Sequence, residues 1–261
     1  MSGKQLTFWE HLDELRVVLF RVIIVVITVS VAAFMLKEQL FAVVLAPKDG
    51  GFITYRLLGD LSSWFSSSGS SLEGFNVELI NTELSRQFMV HIKIAMYAGF
   101  LVVFPYVLYE IFRFISPALY AHERRYAGRF IFSGYFMFLM GVALSYFLIF
   151  PLTFRFLASY QVSSEVQNLI SLDSYISTMM MLNFMMGLVF ELPILCWLAA
   201  KLGFLSSAFM RKYRRHAVVI LLCISAVITP TADAMTLIMV ALPMYILYEL
   251  SILLVGITNK K

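Results

Sequence analysis

Six apolar stretches, separated by more polar segments, leave lipid as the solvent for most of this chain's surface. They cover residues 17–36 (interrupted by Arg21), 88–111, 130–150, 175–200, 217–228 and 234–255, the last with Glu249 near its end. Crossing a hydrocarbon core of about 30 Å takes roughly 20 helical residues. The fifth stretch offers 12 residues, about 18 Å of helix at 1.5 Å per residue, before Thr229-Pro230 breaks it. The last two spans are therefore predicted to be a short hairpin that thins the bilayer or sits in a hydrated concavity. Composition agrees: 61% of residues are hydrophobic and 14% charged, where a soluble domain averages about 45–50% and about 25%. A cytosolic enzyme is excluded on that count, and 15% aromatic residues exclude a disordered chain.

The net charge of +4 reads as topology. Lys4, Arg16, Arg113, Arg124, Arg125, Arg129, Lys201, Arg211, Lys212, Arg214, Arg215, Lys260 and Lys261 fall on one set of loops. Lys37, Lys48, Arg56, Arg86 and Arg155 fall on the other. Thirteen against five places both termini in the cytoplasm and leaves no basic footprint for nucleic acid. The resulting expectation is an all-α polytopic membrane protein of one domain. Residues 1–16 would form a cytoplasmic amphipathic helix, 37–87 and 151–174 outer loops, and 112–129 and 201–216 cytoplasmic loops. The Ser/Gly-rich stretch 62–76 would be a flexible insert in the first outer loop. No cleavable leader is evident, since residues 4–16 are polar and charged. Cys196 and Cys223 sit in apolar runs and read as small buried hydrophobes, and the four histidines show no metal spacing.

Few stretches could carry chemistry. In TFWEHLDELR, Thr7 and Glu10 have capping-box spacing, and Phe8, Leu12, Leu15 and Leu19 form an apolar stripe that leaves Glu10, Asp13 and Glu14 off it. In FRFISPALYAHERR, Ser116-Pro117 is a helix start, and Glu123 stands beside Arg124 and Arg125. Glu123 reads either as one half of a local ion pair or, with Glu14, as an acidic site for a basic peptide. A carboxylate takes a guanidinium through two parallel hydrogen bonds that lysine cannot reproduce. His122-Glu123 lacks the second histidine of a zinc-protease helix, Tyr126 standing in its place, and Ser133-Gly134 lacks a nucleophile-elbow context. Glu191 is an intramembrane carboxylate that should meet a partner or a hydrated cavity, with a Pro193 kink beside it. Lys93 and Arg21 are expected to snorkel toward opposite interfaces. Asp233 reads as a capping anion for the last span.

Taken in order, HLDELR (11–16), APK (46–48), FISPALYAHERR (114–125), ALSYFLIFPLTFRFL (143–157), FMMGLVFELP (184–193) and TPTADAMTLIMVALPMYILYEL (229–250) resemble the TatC family. This family is the polytopic subunit of the twin-arginine protein translocase. The resemblance implies a six-helix, cup-shaped bundle in the bacterial inner membrane. It also implies a receptor for twin-arginine signal peptides of folded precursors, assembled with the single-span subunits TatA and TatB as a homo-oligomeric, proton-motive-force-driven complex without cofactor. On the family pattern, Glu14 and Glu123 hold the arginines, and Arg16, Phe114 and Pro117 shape their site. Pro47, Phe88 and Asp233 match outer-side positions, Tyr146 a tyrosine of the third span, Glu191 the intramembrane glutamate, and Thr229 the partner-contact region. Leu237 departs from the pattern, which often has glutamine there. The competing expectation is an ion-coupled small-solute transporter using Glu191, disfavoured by the lack of an inverted repeat. A membrane enzyme finds no nucleophile, base or metal set to support it.

Overall fold

The computed structural model describes residues 8–57, 59, 77–115, 127–161, 163, 168–229 and 233–258. The insert 62–76, the cap Thr7 and the Ser116-Pro117 helix start lie outside them. The six expected helices follow one another in order, and among the described residues five are long and apolar enough to cross a membrane.

The first helix, Phe8–Phe34, is one unbroken rod of 27 residues, so the amphipathic segment and the first span are a single element. The stripe residues Leu12, Leu15 and Leu19 are exposed and would face lipid. The second helix, Arg86–Ile115, runs back beside it, and the two backbones touch where Gly99 meets Ser30. A β-carbon at Gly99 would stand 2.8 Å from the Ser30 backbone nitrogen. A side chain there would push the pair apart.

The third span continues past its expected end at residue 150. Helix Ala127–Leu144 passes into a π turn at Ser145–Ile149 and resumes as Phe150–Ser159. Pro151 explains the π turn. A proline has no N–H for the carbonyl four residues back and its ring crowds that carbonyl. Here that carbonyl belongs to Phe147, and it accepts instead from the Thr54 hydroxyl. The fourth span is Leu172–Phe190 and Leu192–Lys201, interrupted at Glu191, where Pro193 withholds an N–H in the same way. Gly141 and Gly187 allow the third and fourth helices to close: a β-carbon at Gly141 would lie 2.5 Å from the Met186 carbonyl, and one at Gly187 would lie 2.5 Å from Phe138.

A short helix, Ser207–Lys212, is capped by the Ser206 hydroxyl, which accepts from the Phe209 N–H at 3.2 Å. The fifth helix, Arg214–Ile228, has 15 residues, short as expected. The sixth, Ala234–Thr258, has 25 and corrects the expectation of a short partner. Glu249 does not end it, because Arg214 donates to its carboxylate at 2.7 Å and Tyr245 at 3.1 Å. A charge so neutralised can stay on a continuing helix. The central core joins Ile94, Ile149, Ile176, Leu182, Met186 and Met244 from the second, third, fourth and sixth spans. The only strands among the described residues, β1 (Leu79–Ile80) and β2 (Ile170–Ser171), pair in parallel and tie the connection between the first two spans to that between the third and fourth.

Candidate functional site

The two ends of the bundle differ. The basic end is where the first helix starts and the second stops; the far end carries residues 37–57 and 233. At the basic end a cavity of about 260 Å³ opens between the first two helices. Glu14, Val17, Val18 and Arg21 line it from the first helix with Asp13 beside them, and Arg113 and Phe114 from the second. The first-helix positions recur at three and four residues, so they share one face.

Two of the five residues expected to hold a signal peptide, Glu14 and Phe114, thus meet in one cleft. Arg16 lies off that face; its guanidinium sits 5.7 Å from the centre of the Phe20 ring, one turn along, and is exposed. Pro117 and Glu123 lie outside the described residues.

One buried acid that sequence reasoning missed lies on the second helix just beyond the lining residues of this cleft. Glu110, one turn before Phe114, is 2% exposed. The Tyr106 hydroxyl donates to its Oε1 at 2.9 Å, while Oε2 is buried with no hydrogen-bond partner among the described residues. The signal was available as a lone acid inside the apolar run 88–111.

Glu191 occupies the break in the fourth span and is 6% exposed. No neighbour among the described residues bonds its buried Oε1. The carboxylate packs toward Gly134 of the third helix. Ion pairing, not snorkelling, accounts for Lys93: it meets Asp173 of the fourth helix at 2.8 Å and Ser177 at 3.3 Å, and Arg86 lies 3.5 Å from the same aspartate. Cys223 is exposed rather than buried, because the fifth helix turns that face outward.

At the far end, three tyrosines pin the segment 43–55 to the bundle. Tyr55 donates to the carbonyls of Pro47 at 3.1 Å and Pro151 at 3.0 Å, Tyr146 to Val43 at 2.7 Å, and Tyr175 to Val44 at 3.0 Å. Pro47 is buried in a 3-10 turn, Ala46–Lys48. The Arg155 guanidinium lies 5.6 Å from the Tyr55 ring. Burial pushes the Tyr55 hydroxyl up to about 12, with Arg155 pulling the other way. Phe88 is exposed and meets Phe34 edge-on, and Phe34 also stacks on buried His91 at 3.9 Å. Asp233 caps the sixth helix, accepting from the Thr236 N–H at 2.8 Å and its hydroxyl at 2.7 Å. Thr229 is buried and donates to the Ser225 carbonyl at 3.0 Å. Among the described residues no histidine, cysteine or acid cluster could hold a metal.

Comparison with known proteins gives this geometry a context. Residues 10–243 match the family model "Sec-independent protein translocase protein (TatC)". A relative so named from Blattabacterium sp. subsp. Periplaneta americana (strain BPLAN) is 35% identical over 98% of this chain and 97% of its own. Another, from Desulforapulum autotrophicum, is 32% identical over 97% of this chain and 86% of its own. A solved structure described as "Crystal Structure of Twin Arginine Translocase Receptor- TatC" superposes with a TM-score of 0.74 at 30% identity, covering 96% of this chain and all of that one. With that coverage, and with the six-helix, cup-shaped architecture shared, the chain belongs to the TatC family of Sec-independent protein translocase proteins.

Proposed function

We propose that this multi-pass membrane protein is the receptor subunit of a bacterial twin-arginine translocase, binding signal peptides of folded precursors at the cleft between its first two helices. The observation that carries the reading is the convergence of Glu14 and Phe114 on one cavity at the basic end, in a chain of this family. Glu14 and Glu123 grip the paired guanidinium groups, and Arg16, Phe114 and Pro117 shape their site. Charge-assisted bonds contribute roughly 1.5–3 kcal/mol each, enough for two of them to separate an arginine pair from a lysine pair by more than tenfold.

Orientation follows the basic surplus: both termini lie in the cytoplasm and the bundle sits in the inner membrane. Pro47, Phe88 and Asp233 act at the outer face, Tyr146 keeps the outer segment docked, and Glu191 gives the fourth span a polar point inside the membrane. Thr229 belongs to the contact with TatA and TatB, where Leu237 replaces a glutamine frequent in the family. Receptor copies associate with one another, and the proton-motive force drives transport. The ion-coupled transporter reading of Glu191 falls with the family assignment.

Photocrosslinking from position 14 to a twin-arginine precursor tests the reading. Crosslinks should form, and Glu123→Ala or Glu14→Ala should abolish precursor association while membrane insertion continues. Unchanged association in both variants would rule out the carboxylate clamp.

A further inference from the structure

We infer that Glu110 is an inner anchor of the peptide cleft, receiving an arginine side chain of the signal peptide that reaches down past Glu14; this rests on the receptor reading. Register places it there. Counting eleven residues on from Gly99 and eleven back from Ser30, the point where the antiparallel helices touch, brings Glu110 about level with Leu19. That is between Val18 and Arg21, which line the cleft. On its own helix Glu110 is one turn from Phe114 and three residues from Arg113, the two lining residues there. It lies five residues deeper than Glu14's level, about 7.5 Å at 1.5 Å per residue, close to the reach of an extended arginine side chain.

Charge and hydrogen bonding favour a cationic occupant. The lining itself balances two acids, Asp13 and Glu14, against two bases, Arg21 and Arg113. Glu110, beneath that lining, adds a third acid with no third base among the lining residues. A carboxylate buried to 2% exposure is costly unless its oxygens are used. Tyr106 occupies Oε1 at 2.9 Å and so fixes the group's orientation, leaving Oε2 without a partner among the described residues. One N–H of a guanidinium supplies what Oε2 lacks, while the remaining donors stay available to the carboxylates at the rim. Tyr106 is then a positioning residue and Glu110 a binding residue that selects for arginine.

The test uses the full-length chain in detergent and two synthetic signal peptides, one with Arg-Arg and one with Lys-Lys. Glu110→Gln keeps the side-chain shape and removes the charge. It should weaken Arg-Arg binding about tenfold to a hundredfold, the loss of one charge-assisted bond, and narrow the preference over Lys-Lys. Tyr106→Phe should weaken Arg-Arg binding less. A photoreactive residue at position 106 should crosslink to the Arg-Arg peptide. Equal Arg-Arg affinity in wild type and Glu110→Gln would overturn the inner anchor while leaving the receptor reading standing. A proportional loss for both peptides would overturn it too, since that is the mark of a packing defect. If the wild type binds neither peptide, the receptor reading itself fails and the anchor with it.

Discussion

Glu191 and Gly134 face each other across the third and fourth helices: a β-carbon on Gly134 would stand 3.3 Å from Oε2 and 3.5 Å from Oε1 of the glutamate. The glycine is the space into which the carboxylate folds, and the helix break before Pro193 turns the carboxylate toward it. Three helices meet at this point, because the same β-carbon would also lie 2.8 Å from Leu108 of the second.

Substitution by alanine should grade these glycines. At Gly134 the obstructing atoms end flexible side chains, so Gly134→Ala should cost about 1 kcal/mol. At Gly141 the obstruction is the Met186 backbone carbonyl at 2.5 Å, and the cost should reach about 3 kcal/mol. Thermal unfolding in detergent compares them. A Gly141→Ala variant as stable as Gly134→Ala would contradict the close approach of the third and fourth helices.

The long spans were legible because hydropathy is a local property, readable within one run of residues. What escaped depends on distance along the chain. Lys93 looks like a snorkelling cation until Asp173, eighty residues on, is brought to 2.8 Å. The third span runs past its expected end at Phe150 and through Pro151, and only Thr54, far off in sequence, shows how the Phe147 carbonyl is satisfied. Of the residues lining the cleft, Glu14 was read from the acidic face of the first helix and Phe114 through the family resemblance. Glu110 was not, although a lone acid in an apolar run is a signal that needs no partner to be seen.

Tyr55 should make the segment 43–55 sensitive to alkali. Its hydroxyl is raised from 10 to about 12 by burial, so between those values the unfolded state ionises while the folded one does not. The sign is then fixed: stability is intact below pH 10 and falls as pH rises toward 12, by about 2–3 kcal/mol for a shift of two pH units. Absorbance titration of tyrosinate alongside denaturation should show that slope in the wild type. In Tyr55→Phe the slope should shrink, while stability at neutral pH falls by about 1–3 kcal/mol from two abandoned carbonyls. An identical slope in both proteins would place the sensitivity elsewhere.

The Lys93–Asp173 pair should couple measurably but weakly. Lys93 is 45% exposed and Asp173 19%, so the coupling should be about 1 kcal/mol, shared with Arg86 on the same aspartate. A double-mutant cycle of Lys93→Met and Asp173→Asn reads it from unfolding. Asp173→Asn should cost more than Lys93→Met, because it strips two cations of their partner at once. Equal costs with zero coupling would mean that the second and fourth helices are held by their apolar contacts alone.

Glu191→Gln separates charge from shape at the break in the fourth span. Glutamine fills the same space beside Gly134, so folding and signal-peptide binding should stay at the wild-type level; the cleft proposed for the peptide is lined by the first two helices. Transport should fall, because a neutral amide draws less water to a break inside the membrane than a group able to ionise. Parallel measurement of peptide affinity and of precursor export in vesicles distinguishes the two effects. Normal export by Glu191→Gln would show that the position needs only a polar side chain of that size, and that its charge plays no part in moving the cargo.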